Sequence, residues 1–186
     1  KRKNLGEHNL KGVYDKFKEN GILTHAAIIV PLPHETKETY IEGLRILSDS
    51  YVEQPLAYTT MLLKGTTLAS KESRLQHEMK TRYRLLPRQF GEICGQRVFE
   101  YDEVCIATNT MNFDEYMECR GVSFVLLVLS TGQFDFLRHV CDEVNINWFD
   151  MLLEFWHRVE NYEGTLGQIY KGFINASHDE LFDSPE

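Results

Sequence analysis

The stretch Ala27-Ile28-Ile29-Val30-Pro31-Leu32-Pro33-His34-Glu35-Thr36-Lys37-Glu38-Thr39 constrains this chain more than any other, because an apolar run passes through a proline-rich bend into a capped helix. Ile28, Ile29 and Val30 show no polar alternation, the pattern of a strand covered on both faces of a parallel sheet. Two prolines then end the run. Thr36 is placed to cap the helix that follows, and Thr39 or Glu38 in its first turn suits the positive end of the helix dipole. The bend therefore joins the C-terminal end of a strand to a helix N-terminus, the position at which α/β folds hold ligands.

Around the bend the periodicity alternates. Leu10, Val13, Tyr14 and Phe17 predict a helix over 7–20 that Asn20-Gly21 stops. A strand follows over about 23–30, then a helix whose apolar face is Tyr40, Ile41, Leu44, Ile46 and Leu47, broken at Ser48-Asp49-Ser50. A second strand fits 55–63 and ends at Lys64-Gly65-Thr66. Helix, strand, helix, strand predicts a parallel sheet whose right-handed crossover opens both strand ends on one rim. Beyond residue 67 a charged helical piece at 70–80 leads into Arg82-Tyr83-Arg84-Leu85-Leu86-Pro87-Arg88-Gln89-Phe90-Gly91, which reads as an irregular basic arm. A third strand over 103–108 is expected to lie parallel to the others. Helices run from 113 to about 178, including the apolar run 124–129, whose flanks keep helical spacing. The acidic tail 179–186 is expected to fray. These changes of texture divide the chain into 1–67, 68–112 and 113–186.

With 186 residues, 42% of them hydrophobic, the chain is long enough for a core of its own. Its net charge of −8 argues against a nucleic-acid coat and against an anionic membrane as partner. Cys94, Cys105, Cys119 and Cys141 lack CxxC or CxxxCxxC spacing, so neither a zinc site nor an iron–sulfur cluster is implied. The run 124–129 falls far short of the roughly 20 residues that span a bilayer. A cytoplasmic location with reduced thiols is the expectation. The opening Lys1-Arg2-Lys3-Asn4 has no initiator methionine, which suggests a piece of a longer polypeptide.

Several residues resemble a known family. Pro31-Leu32-Pro33-His34-Glu35-Thr36 resembles the Gly-Leu-Pro-Gly-Glu-Thr segment of radical S-adenosylmethionine (SAM) enzymes, and Leu62-Leu63-Lys64-Gly65-Thr66 resembles their later Leu-Pro-Gly-Thr turn. Lys80-Thr81-Arg82-Tyr83-Arg84 and Thr108-Asn109-Thr110-Met111 look like the tail of the subgroup that carries a cobalamin-binding domain. The resemblance implies an α/β fold: the C-terminal half of a partial (β/α) TIM-like barrel with parallel strands, followed by a mainly helical extension. A 4Fe-4S cluster near the first barrel strand would open SAM to a 5′-deoxyadenosyl radical, with cobalamin as a further candidate cofactor. The cluster motif lies outside this chain, which alone is expected to bind none of these cofactors. Val30, Leu32 and Pro33 would form the wall against the SAM adenine, with Glu35 and Leu63 as further cofactor-binding residues. The partners implied are the missing N-terminal part of the same polypeptide and a small-molecule substrate. Pro31 and His34 stand where the family usually has glycine; a proline offers no N–H and holds φ near about −65°.

Other patterns point less far. Arg82, Arg84 and Arg88, with Tyr83 and Phe90 to stack, form a candidate binding arm for an anionic substrate, or a set of surface ion pairs. Glu154 and His157 share a helix face without a second matching pair, and nothing completes a metal site around His139 and Cys141. No metal-binding residue is expected. A second class of function also fits: a non-catalytic α/β interaction or scaffolding domain that uses its helical extension for docking.

Overall fold

The computed structural model describes residues 7–50, 52 and 54–185. Helix α1 (Glu7–Glu19) leads into strand β1 (His25–Val30), helix α2 (Lys37–Asp49) and strand β2 (Gln54–Thr59). β1 and β2 pair in parallel from His25↔Gln54 to Val30↔Thr59, and the Thr60 N–H extends the ladder to the Val30 carbonyl at 2.9 Å. The crossover expected from the alternating periods is therefore present. α2 begins at a reciprocal cap, in which Thr36 and Thr39 each accept the other's backbone N–H. It packs on one face of the pair, where Gly43 leaves just enough room for Ile28.

After the short helix α3 (Lys71–Gln76) the chain forms a long hairpin of β3 (Lys80–Ile93) and β4 (Gln96–Ala107). Two expectations are corrected here. The basic stretch 82–91 is not irregular but a strand, and the third strand runs antiparallel to its neighbours. The turn Cys94-Gly95 takes positive φ at both positions, 51° and 78°, the geometry that closes two-residue hairpins. Pro87 cannot donate to a ladder, and the chain accommodates it in a register shift between Leu85 and Phe90, with Arg88 at φ 65°. The inner end of β4 then meets residues 60–62. Leu62 N–H donates to the Glu103 carbonyl and Cys105 N–H to the Thr60 carbonyl, each at 2.8 Å, an antiparallel bridge that joins the two sheets.

Helices α4 (Phe113–Leu129), α5 (Asp135–Glu143), α6 (Trp148–Glu160) and α7 (Thr165–Asp179) complete the chain, and the run 124–129 is helical as expected. α4 is apolar almost all round and lies at the centre, with Cys119, Val122, Val125 and Leu126 buried. Tyr40 and Leu44 of α2 and Phe149 and Leu152 of α6 join it in one core, tied by a 2.8 Å hydrogen bond between the hydroxyls of Tyr40 and Ser123. Gly121 is required, since the Tyr170 hydroxyl occupies the space a Cβ would take. Among the described residues no single helix is long and apolar enough to cross a membrane. The tail corrects a third expectation. Phe182 exchanges backbone hydrogen bonds with Tyr83, and Asp183 meets Arg82 at 3.0 Å, so this end of the chain is docked.

Candidate cofactor site at the bend after β1

The bend 31–36 sits on the rim where β1 and β2 both end. Its backbone closes on itself: Glu35 N–H donates to the Leu32 carbonyl, and Leu32 N–H donates to the Glu35 carboxylate, both at 3.1 Å. Two neighbours hold it from outside. The Thr60 hydroxyl donates to the Pro31 carbonyl at 2.6 Å, and the Thr110 hydroxyl donates to the Glu35 carbonyl at 2.7 Å. His34 adopts φ 67°, a left-handed conformation that glycine takes most readily. Its ring stands edge-on to His77, with centroids 4.9 Å apart. His77 is buried, its carbonyl accepts Asn109 N–H, and its Nδ1 has no partner among the described residues.

The residues expected at a cofactor divide by burial. Val30 lies inside the core beneath the bend, whereas Leu32 and Leu63 are exposed on the rim, with Pro33 and Glu35 half-buried between. Partial burial raises the Glu35 carboxyl above its ordinary value, more than the Leu32 N–H lowers it. With the Leu32, Glu35 and Thr36 N–H groups engaged and none on Pro31 or Pro33, the bend offers few backbone donors outward, and its exposed side chains include Leu32 and His34. That suits a flat apolar ligand better than a phosphate.

Of the three arginines, Arg82 pairs with Asp183, and Arg84 lies between Asp102 and Glu180 at 3.8 and 3.9 Å. Arg88 stands apart in the β3 bulge, exposed. Cys94 is exposed at the hairpin turn, while Cys105, Cys119 and Cys141 are buried. Burial pushes the Cys105 thiol up to about 11 and the Cys119 thiol up to about 12, so both stay protonated at neutral pH. No group of three or more His, Cys, Asp or Glu among the described residues is arranged to hold a metal ion. The sequence points to no role for His77 or Thr60, and it shows Thr110 only as part of a motif with no tie to the bend. Their signals were weak: a lone histidine after a helix and threonines beyond strand ends acquire a role only once three turns converge.

No family model matches the chain. Over an alignment of 193 positions that takes in the whole chain it is 23% identical to 2-(S-pantetheinyl)-carbapenam-3-carboxylate methyltransferase of Streptantibioticus cattleyicolor. The chain spans 28% of that enzyme's length.

Proposed function

We propose that this chain is the C-terminal part of a radical SAM enzyme: two units of a partial (β/α) barrel, a hairpin, and a helical extension. In this reading Leu32, Pro33 and Leu63 lie against the adenine, Glu35 holds the bend's shape and faces the ligand, and Val30 supports the wall from the core. The Fe–S cluster and the rest of the barrel belong to the preceding part of the polypeptide. Bound SAM, together with that cluster, would supply the radical chemistry.

One observation carries the reading. β1 and β2 are parallel, and parallel strands are stable when both faces are covered; here α2 covers one face while Ile29 and Tyr58, opposite one another on the second, are 41% and 53% exposed. A further barrel segment is the natural cover, and it would stand directly below the bend. The partial match to a longer methyltransferase supports reading the chain as one part of a larger enzyme. Methyl transfer, the activity named for that relative, is the reaction we assign to the parent polypeptide, with Arg88 and the rim of β3 on the substrate side.

The test is calorimetric titration of SAM into the parent polypeptide carrying Leu32→Asp or Pro33→Ala. The charged substitution should weaken binding by at least about tenfold, because it sets a carboxylate against an apolar surface. Pro33→Ala should weaken it less. Unchanged affinity in both would remove the bend from the cofactor site.

A further inference from the structure

The hairpin has two outer edges, and they are built differently. β3 is blocked along its outer half: Pro87 has no N–H, the register shift spans 86–89, and Arg88 turns to positive φ. Such features keep an edge strand from accepting another. β4 has none of them over residues 96–102. Its register to β3 shifts through residues added on β3 between Leu85 and Phe90, so β4 itself alternates without interruption from Glu103 back to Gln96.

The direction of its backbone groups follows from the inner end. Glu103 turns its carbonyl away from β3 to Leu62, and Tyr83 opposite turns its N–H and carbonyl outward to Phe182. By strand alternation the N–H and C=O groups of Tyr101, Phe99 and Arg97 face the same outer side as those of Glu103. They meet no backbone partner there among the described residues. The face above them is apolar as well. Leu85 stands opposite Tyr101 and Phe90 opposite Phe99, with Phe90 80% and Phe99 57% exposed.

We propose that this edge of β4 pairs antiparallel with the same edge of a second copy of the chain, making a four-stranded sheet across a two-fold axis at Phe99. The free edge is bounded by Gly95 at the turn and by the Leu62 bond to Glu103, and Phe99 is its midpoint. A self-pairing that uses the whole edge must centre there. In that register the outward residues Arg97, Phe99 and Tyr101 meet Tyr101, Phe99 and Arg97 of the copy, so every outward N–H faces a carbonyl. Each Arg97 guanidinium comes beside a tyrosine ring, Val98 faces Glu100, Gln96 faces Asp102, and no like charges stand directly opposite. Because β3 is blocked, the hairpin of each copy offers one edge, and two copies joined through it close instead of growing into a fibre. The inference is independent of any cofactor at the bend.

Sedimentation equilibrium of the 186-residue chain is expected to give a mass twice 21.7 kDa. Phe99→Pro removes an outward N–H without touching the ladder to β3, and Phe99→Lys sets two ammonium groups on the axis; each should raise the dissociation constant by at least about tenfold. Far-ultraviolet dichroism checks that the hairpin survives, and Phe99→Lys serves if the proline variant does not fold. In a Cys94→Ser background, Phe99→Cys should oxidise to a covalent dimer, since residues opposite in a hydrogen-bonded pair lie about 5.5 Å apart at Cα. Val98→Cys in the same background should cross-link far less, because it faces Glu100. A monomeric wild-type chain, an open-ended assembly, or a dimer indifferent to both Phe99 substitutions would overturn the proposal.

Discussion

β4 is a single strand with two environments. Its inner residues Val104, Cys105, Ile106 and Ala107 are buried, while Val98, Phe99 and Tyr101 on its outer half are exposed. Both halves pair with β3, and both carry apolar side chains, continuous in the inner half and mixed with charged residues in the outer. What differs is the second neighbour. Residues 60–62 and the helical body close over the inner half, and nothing in the described chain stands over the outer half. Apolar content thus decides which residues are able to be buried, and the neighbouring segment decides which of them are.

This comparison fails if the two halves respond alike to truncation. The largest expected contrast pairs Phe149→Ala, a core residue on α6, with Phe99→Ala. The first should cost about 3–5 kcal/mol in urea unfolding and the second under about 1 kcal/mol when the chain is kept dilute enough to be monomeric. Within the strand itself, Val104→Ala should cost about 2 kcal/mol and Val98→Ala close to nothing. Equal losses at these two valines would mean that the outer hairpin packs against a segment of its own chain. A smaller effect, about 1 kcal/mol, is expected for Asn112→Ala, which removes the cap from the helix that covers the inner half.

Acid sensitivity sharpens the same contrast. Glu103, at the inner end of β4, receives an Arg74 guanidinium N–H at 2.8 Å, and that hydrogen bond holds its carboxyl below the ordinary 4.5. Its contribution is therefore complete above pH 4.5 and is lost as pH falls through the lower folded value. Glu35 has the opposite sign: burial raises its carboxyl, so the folded state binds that proton more tightly and stability falls as pH rises through the window above 4.5. Denaturant midpoints followed against pH should show Arg74→Met flattening the acid limb and Glu35→Gln flattening the limb above it. An acid limb unchanged in Arg74→Met would detach Glu103 from the stability of the inner half.

The strand, bend and helix over 25–49 were legible because each signal was local: a β-branched run, two prolines, and a threonine placed to cap the helix. The helical reading of 124–129 held for a similar reason, since its flanks kept the 3.6-residue period. The hairpin was less legible. Pro87 and the arginines of 82–88 looked like loop chemistry, and the two residues that close the turn, Cys94 and Gly95, are not the pair usually associated with one. The docked tail could not be read at all, because Phe182 pairs with Tyr83 across about a hundred residues of chain. At the bend, Leu32, Pro33, Glu35 and Leu63 were visible as a motif, but the support from Thr60, Thr110 and His77 depends on turns that lie far apart in sequence.

By itself, then, the order of residues determined where helices start, where β1 ends, and which side chains had no reason to face water. Those outcomes follow from backbone sterics and from hydrogen bonds within a few residues. The tertiary structure alone decided that β4 runs antiparallel beside residues 60–62, that Val30 is core while Leu32 is rim, and that one half of a strand is covered and the other bare. Each of these depends on contacts between distant segments, whose free energy is set by what packs on the second side and is not encoded in any one stretch of the chain.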